Sequence, residues 1–132
     1  MKYFFLKLHG PRATFMQDMS PAEVDLMQRH GAYWRELMQR GFVAAFGPVA
    51  DPAGGYGIGV LELPDDLDPW SLVREDPVAK AGAGFRFEIL PMPRAIVRPV
   101  EKIATRSSLS PDEQMERFAQ ELKETDWGHQ PC

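Results

Sequence analysis

Residues 20–41 read SPAEVDLMQRHGAYWRELMQRG, and the local signals in them agree on one answer, an amphipathic helix with both ends marked. Ser20 and Glu23 form an S-x-x-E capping box. Pro21 suits the first helical position, where its missing N–H would have had no partner, and Gly41 supplies a left-handed stop. At about 100° per residue, Val24, Leu26, Met27, Gly31, Trp34, Leu37 and Met38 fall on one arc. Asp25, Gln28, Arg29, Arg35, Glu36, Gln39 and Arg40 fall on the other. Asp25 with Arg29 and Glu36 with Arg40 are i,i+4 pairs in the favourable order, so the outer arc is ordinary solvated surface. His30 is the anomaly, a titratable ring on the apolar arc.

Upstream of the helix, KYFFLKLH (residues 2–9) mixes alternation with β-forming side chains and ends at Gly10-Pro11, which predicts a strand. The connection GPRATFMQDM is long for a strand-to-helix link and carries Phe15, Met16 and Met19. It reads as a lid over a site or as a loop packed on the edge of the core, with packing the better supported, and Arg12 is a minor candidate for binding an anion. Downstream, apolar runs at 42–49 and 57–63 flank a turn rich in Gly, Pro and Asp, which predicts a hairpin. Gly54, Gly55, Gly57 and Gly59 lead into a strand, and no Gly-Lys-Ser/Thr follows, so they do not form a phosphate-cradling loop.

Asp68-Pro69 and Asp76-Pro77 are two successive helix starts, predicting a short helix broken at Asp76. In FRFEILP, residues 85–91, Phe85, Phe87 and Ile89 alternate with Arg86 and Glu88, a strand with one wet face. The order βαββαβ with right-handed crossovers puts both helices on one face of a four-stranded antiparallel sheet, the ferredoxin-like α+β arrangement. Residues 96–132 form an extension beyond this 1–95 domain. Arg94, Arg98, Lys102 and Arg106 occur in a stretch that Pro93 and Pro99 interrupt, read as a solvated linker or an extra edge strand. Ser110-Pro111-Asp112-Glu113 then repeats the cap of the first helix. Met115, Phe118, Ala119 and Leu122 follow at helical spacing, predicting a C-terminal amphipathic helix over about 111–124 that docks its apolar stripe.

A chain of 132 residues with 44% hydrophobic and 26% charged residues supports one globular domain with an appendage. Its net charge of −4 argues against a general nucleic-acid binder. The N-terminus has only four successive apolar residues before Lys7, and no run approaches membrane-spanning length, so a cytoplasmic protein is expected. The single cysteine, Cys132, allows no internal disulfide and no thiolate cluster. His9 and His129 lack partners at metal-ligand spacing, so neither a metal nor a cofactor is expected.

With these residues in view, the chain resembles the YCII (YciI-like) family over roughly residues 1–95. The resemblance rests on His30 and Trp34 in the first helix, Phe46-Gly47-Pro48 on the second strand and Asp51-Pro52 with glycines in the turn. Asp76-Pro77 followed by Lys80-Ala81-Gly82 completes it. It implies a dimeric α+β barrel built from two ferredoxin-like sheets, hence a homodimer, with an active site at a histidine and an aspartate that map to His30 and Asp76. Trp34, Phe46, Gly47, Pro48 and Lys80 are the substrate-contacting residues expected beside them. A lone histidine on an apolar helical face is usually a core residue bonded to backbone, and Asp before Pro is a strong helix cap with or without catalysis. If the two meet, the aspartate fixes the imidazole tautomer and leaves one ring nitrogen to exchange a proton with a small organic substrate, in lyase or isomerase chemistry. A non-catalytic small-molecule binding module and a purely structural or interaction domain are the alternatives.

Overall fold

The computed structural model describes residues 1–98 and 110–124. The elements, in chain order, are β1 (Lys2–His9), α1 (Phe15–Asp18), α2 (Pro21–Gln39), β2 (Val43–Val49), β3 (Tyr56–Leu63), α3 (Pro69–Arg74), α4 (Pro77–Ala81), β4 (Arg86–Met92) and α5 (Pro111–Glu124). The sheet is four-stranded in the order β2-β3-β1-β4, and its three pairings are all antiparallel. This is the expected ferredoxin-like arrangement, with α2 and the α3–α4 pair as its two crossovers.

The capping box of α2 forms in full. Ser20 Oγ accepts from the Glu23 N–H at 3.2 Å, and the Glu23 carboxylate accepts from the Ser20 N–H at 2.9 Å. At the other end Gly41 takes φ 87°, the left-handed conformation the sequence reserves for it. Both short crossover helices also begin as expected: Asp68 caps α3 through the Trp70 N–H and Asp76 caps α4 through the Val78 N–H.

Burial resolves a choice that alternation in β1 leaves open. Leu6 and Leu8 are buried, and Leu6 joins Trp34, Leu37, Val43, Leu61, Leu63 and Val73 in the main core. A second cluster of Leu8, Leu26 and Val78 ties β1 to α2 and α4. The apolar arc of α2 is narrower than its sequence pattern: Leu26, Trp34 and Leu37 are buried, whereas Val24, at the first turn, is exposed. The register then fixes the opposite sheet face. Across β3, β1 and β4 it presents Glu62, Tyr3 and Met92, then Val60, Phe5 and Leu90, then Ile58, Lys7 and Glu88, and at the far end Tyr56, His9 and Arg86. No described helix of the Met1–Ala95 unit packs on that face, and Leu90 is 57% exposed.

The loop after β1 packs on the core. Phe15 is buried and meets Phe85 edge-on with ring centroids 5.1 Å apart, so α1 closes the edge of the core. The chain divides into two units, Met1–Ala95 and Ile96–Cys132. In the second unit α5 begins with the expected cap, the Ser110 N–H donating to Glu113 and the Glu113 N–H to Ser110 Oγ. Between Met92 and Arg98 no strand follows β4. Pro99, Lys102, Arg106, His129, Cys132 and the side chains of Phe118 and Leu122 lie outside the described residues. Among the described residues no helix is long and apolar enough to cross a membrane.

Candidate functional site

α2 and α4 are brought together by the Leu8–Leu26–Val78 cluster, and that packing delivers the N-cap of α4 to the middle of α2. The residue delivered is Asp76, fully buried, the only fully buried acid among the described residues. Burying a carboxylate is costly unless its lone pairs are met by donors, and here they are. Oδ1 accepts the Val78 backbone N–H at 2.8 Å, the cap of α4. Oδ2 accepts from His30 Nδ1 at 2.7 Å and from the Trp34 indole N–H. His30 and Trp34 are one helical turn apart, so a single face of α2 presents both donors to one oxygen.

This geometry fixes the histidine. Since the Asp76 carboxylate can only accept, Nδ1 carries a hydrogen, and in the neutral ring Nε2 is then a free base. Nε2 makes no hydrogen bond among the described residues, and the His30 side chain is 19% exposed. Around the pair, Tyr33 stands edge-on to Trp34 with centroids 5.6 Å apart and donates its hydroxyl to the Leu72 carbonyl at 2.5 Å. Burial pushes the Tyr33 phenol pKa up, and the Asp76 charge adds to that shift. The surroundings can therefore hold an anionic orienter and a proton-exchanging imidazole, with no described group beside them acting as a nucleophile.

Of the residues expected to contact substrate, Trp34 is at the site, as a 2%-exposed hydrogen-bond donor to Asp76. Phe46 packs against the main core, and Gly47 and Pro48 pair with Ile58 and Gly57 across the β2–β3 ladder. Lys80 is directed elsewhere: its ammonium pairs with Glu75 at 2.9 Å on the exposed side of α4. Arg12 binds no free anion position, since its guanidinium donates to Asp18 and to both oxygens of Glu23, pinning the β1–α1 loop to the start of α2. Among the described residues no group of three or more His, Cys, Asp or Glu is arranged to hold a metal ion.

A second imidazole–carboxylate pair was not expected from the sequence. His9 Nε2 bonds Glu88 across the β1–β4 edge, on the sheet face away from the helices. The alternation of residues 85–91 does put Glu88 on the wet face of its strand; what the sequence does not carry is the register that sets it one step diagonally from His9.

Comparison with known proteins places a family model described as the YCII-related domain on residues 1–93. No match is found among curated proteins. Among solved structures, a formyltetrahydrofolate deformylase from Pseudomonas putida KT2440 is similar at 20% identity with a TM-score of 0.39. The match covers 67% of this chain and 28% of that one, so the chain spans less than a third of that protein's length.

Proposed function

We propose that this chain, which belongs to the family of YCII-related domains, is a small acid–base enzyme of the lyase or isomerase type. It acts as a homodimer on a small organic molecule, with His30 as the proton-exchanging group and Asp76 as its positioning residue. The observation that carries the proposal is the bonding of Asp76: a buried carboxylate holds the His30 Nδ1–H while Nε2, on a partly exposed edge, has no partner among the described residues. That is the minimum apparatus for moving a proton to or from a bound substrate, and it needs no covalent intermediate. Homodimer formation is supported by the uncovered sheet face, on which Leu90 of the edge strand β4 is exposed.

A second reading draws on the other bonds of the same aspartate. Asp76 also caps α4 and receives the Trp34 indole, so the cluster can serve to lock α4 onto α2, with any small molecule held but not turned over. One experiment divides the readings: mass spectrometry of small molecules that copurify with the protein, followed by incubation with wild type and with His30→Ala. Conversion by wild type and its loss in His30→Ala support the enzyme. A molecule that is bound and returned unchanged by both overturns it in favour of a binding module.

A further inference from the structure

We propose a second ligand site, an anion-binding cleft at the end of the sheet where β1 finishes and β3 and β4 begin. The cleft is an open depression of about 380 Å³, a volume within the range of small-metabolite sites, and neither His30 nor Asp76 lines it. Its charged lining is of one sign. Arg12 and Arg86 contribute guanidinium groups and His9 an imidazole, and among the described residues no carboxylate lines it, in a chain whose net charge is −4.

The two arginines have different jobs. Arg12 is committed to Asp18 and Glu23 and forms a fixed wall. The Arg86 side chain makes no hydrogen bond or ion pair among the described residues, so its planar fork of donors is available to a carboxylate or phosphate in two-point fashion. Across the β1–β4 pair, directly opposite Arg86, stands His9, whose Nε2 is held by Glu88. That bond is the first cause holding the Glu88 carboxyl below its usual range, and it fixes the imidazole in the lining of the cleft. The rest of the wall is short: Ala13, Ala53 and four glycines line it, with Gly54 and Gly84 at φ 141° and 90°, conformations that side chains rarely adopt. A guanidinium fork with no hydrogen-bond partner among the described residues, an imidazole held by Glu88 and a wall of alanine and glycine together suit a small organic anion, bound through a carboxylate or a phosphate.

The test is a ¹⁵N-edited NMR titration of the full chain with inorganic phosphate and, separately, with succinate, at constant ionic strength set with sodium chloride. Saturable shifts of the Gly54, Gly55 and Gly84 amides are expected with one or both probes, and the probe that saturates tells a phosphate ligand from a carboxylate. Arg86→Gln should weaken that probe at least about tenfold, and Arg86→Lys, which keeps the charge but loses the fork, by less. His30→Ala should leave the titration unchanged, which keeps this site distinct from the proposed proton-transfer site. Absence of saturation by either probe up to about 20 mM, or saturation that Arg86→Gln leaves intact, overturns the proposal.

Discussion

Asp76 uses two oxygens to satisfy three donors, and each of its bonds sets a different part of the site. Asp76→Asn keeps the shape but replaces one acceptor with an NH₂ group, which must then face either the Val78 N–H or the paired His30 and Trp34 donors. Leaving a buried donor unsatisfied costs about 1–3 kcal/mol, so urea unfolding of Asp76→Asn should show a loss in that range while the fold persists. The imidazole should also respond: ¹⁵N shifts should report the Nδ1–H tautomer in wild type and a shift toward Nε2–H in Asp76→Asn. An Nε2–H ring in the wild-type protein would contradict the site as described. With a substrate in hand, His30→Ala should lower the rate by on the order of 10² to 10⁴-fold, measured as kcat/KM, and Asp76→Asn should lose much of it. At this scale the sequence was partly legible. His30 stood out by itself, because a titratable ring on an apolar arc breaks the helix pattern. Its partner came only through the family resemblance, since 46 residues separate the two and no local pattern spans that distance. The bond from Trp34 to Asp76 went unread for the same reason, and the pairing of Lys80 with Glu75, which depends on where α4 turns, was not legible either.

Among the elements, α2 was the most legible, because capping chemistry is local and the Ser20–Glu23 box needs no tertiary partner to form. Sequence did not disclose that Arg12 joins the box from the preceding loop. Its guanidinium holds the Glu23 carboxyl down to about 2, from an ordinary 4.5, with the Ser20 backbone bond as the next cause. Asp18 is lowered as well, first by Thr14 and then by Arg12. A depressed folded-state pKa contributes stability that is complete above the unfolded value and is lost as pH falls through the folded one. The Arg12–Glu23 anchor should therefore be fully effective above about pH 4.5 and fade toward pH 2. Thermal melts of wild type and Glu23→Gln should differ most at neutral pH and converge in strong acid, and an undiminished gap near pH 2 would refute this anchor. Ser20→Ala should cost about 1 kcal/mol by removing one cap bond, read from the same melts at neutral pH. The short helices α3 and α4 were legible by the same logic, as Asp-Pro starts. The strands were legible in position and less so in orientation: alternation shows that β1 has two faces, and only pairing decides that Leu6 and Leu8 turn inward.

For the whole molecule, register converts four strands into one surface with a gradient along it. Tyr3, Phe5, Val60, Leu90 and Met92, with Glu62 as the one charge among them, occupy one end of the uncovered sheet face, and Lys7, His9, Tyr56, Arg86 and Glu88, with Ile58, the other. The charged end is internally occupied, with Lys7 over the Tyr56 ring at 4.2 Å and His9 bonded to Glu88, so it has little need of a protein partner. The apolar end has no such satisfaction, and an exposed patch of large side chains on an antiparallel sheet is stabilised by burial against a second such face. A homodimer seated on the apolar end leaves the His9 and Arg86 end at its rim, where a cleft can stay open to solvent. Sedimentation equilibrium at micromolar concentration should give twice the chain mass of 14.9 kDa. Leu90→Lys should shift that equilibrium toward monomer, since two symmetry-related leucines leave the interface and each is worth about 1.5–3 kcal/mol when fully buried. Arg86→Gln, at the opposite end of the face, should leave the mass unchanged. A mass near 14.9 kDa for the wild-type protein would show that the apolar face is not closed by a second copy of the chain.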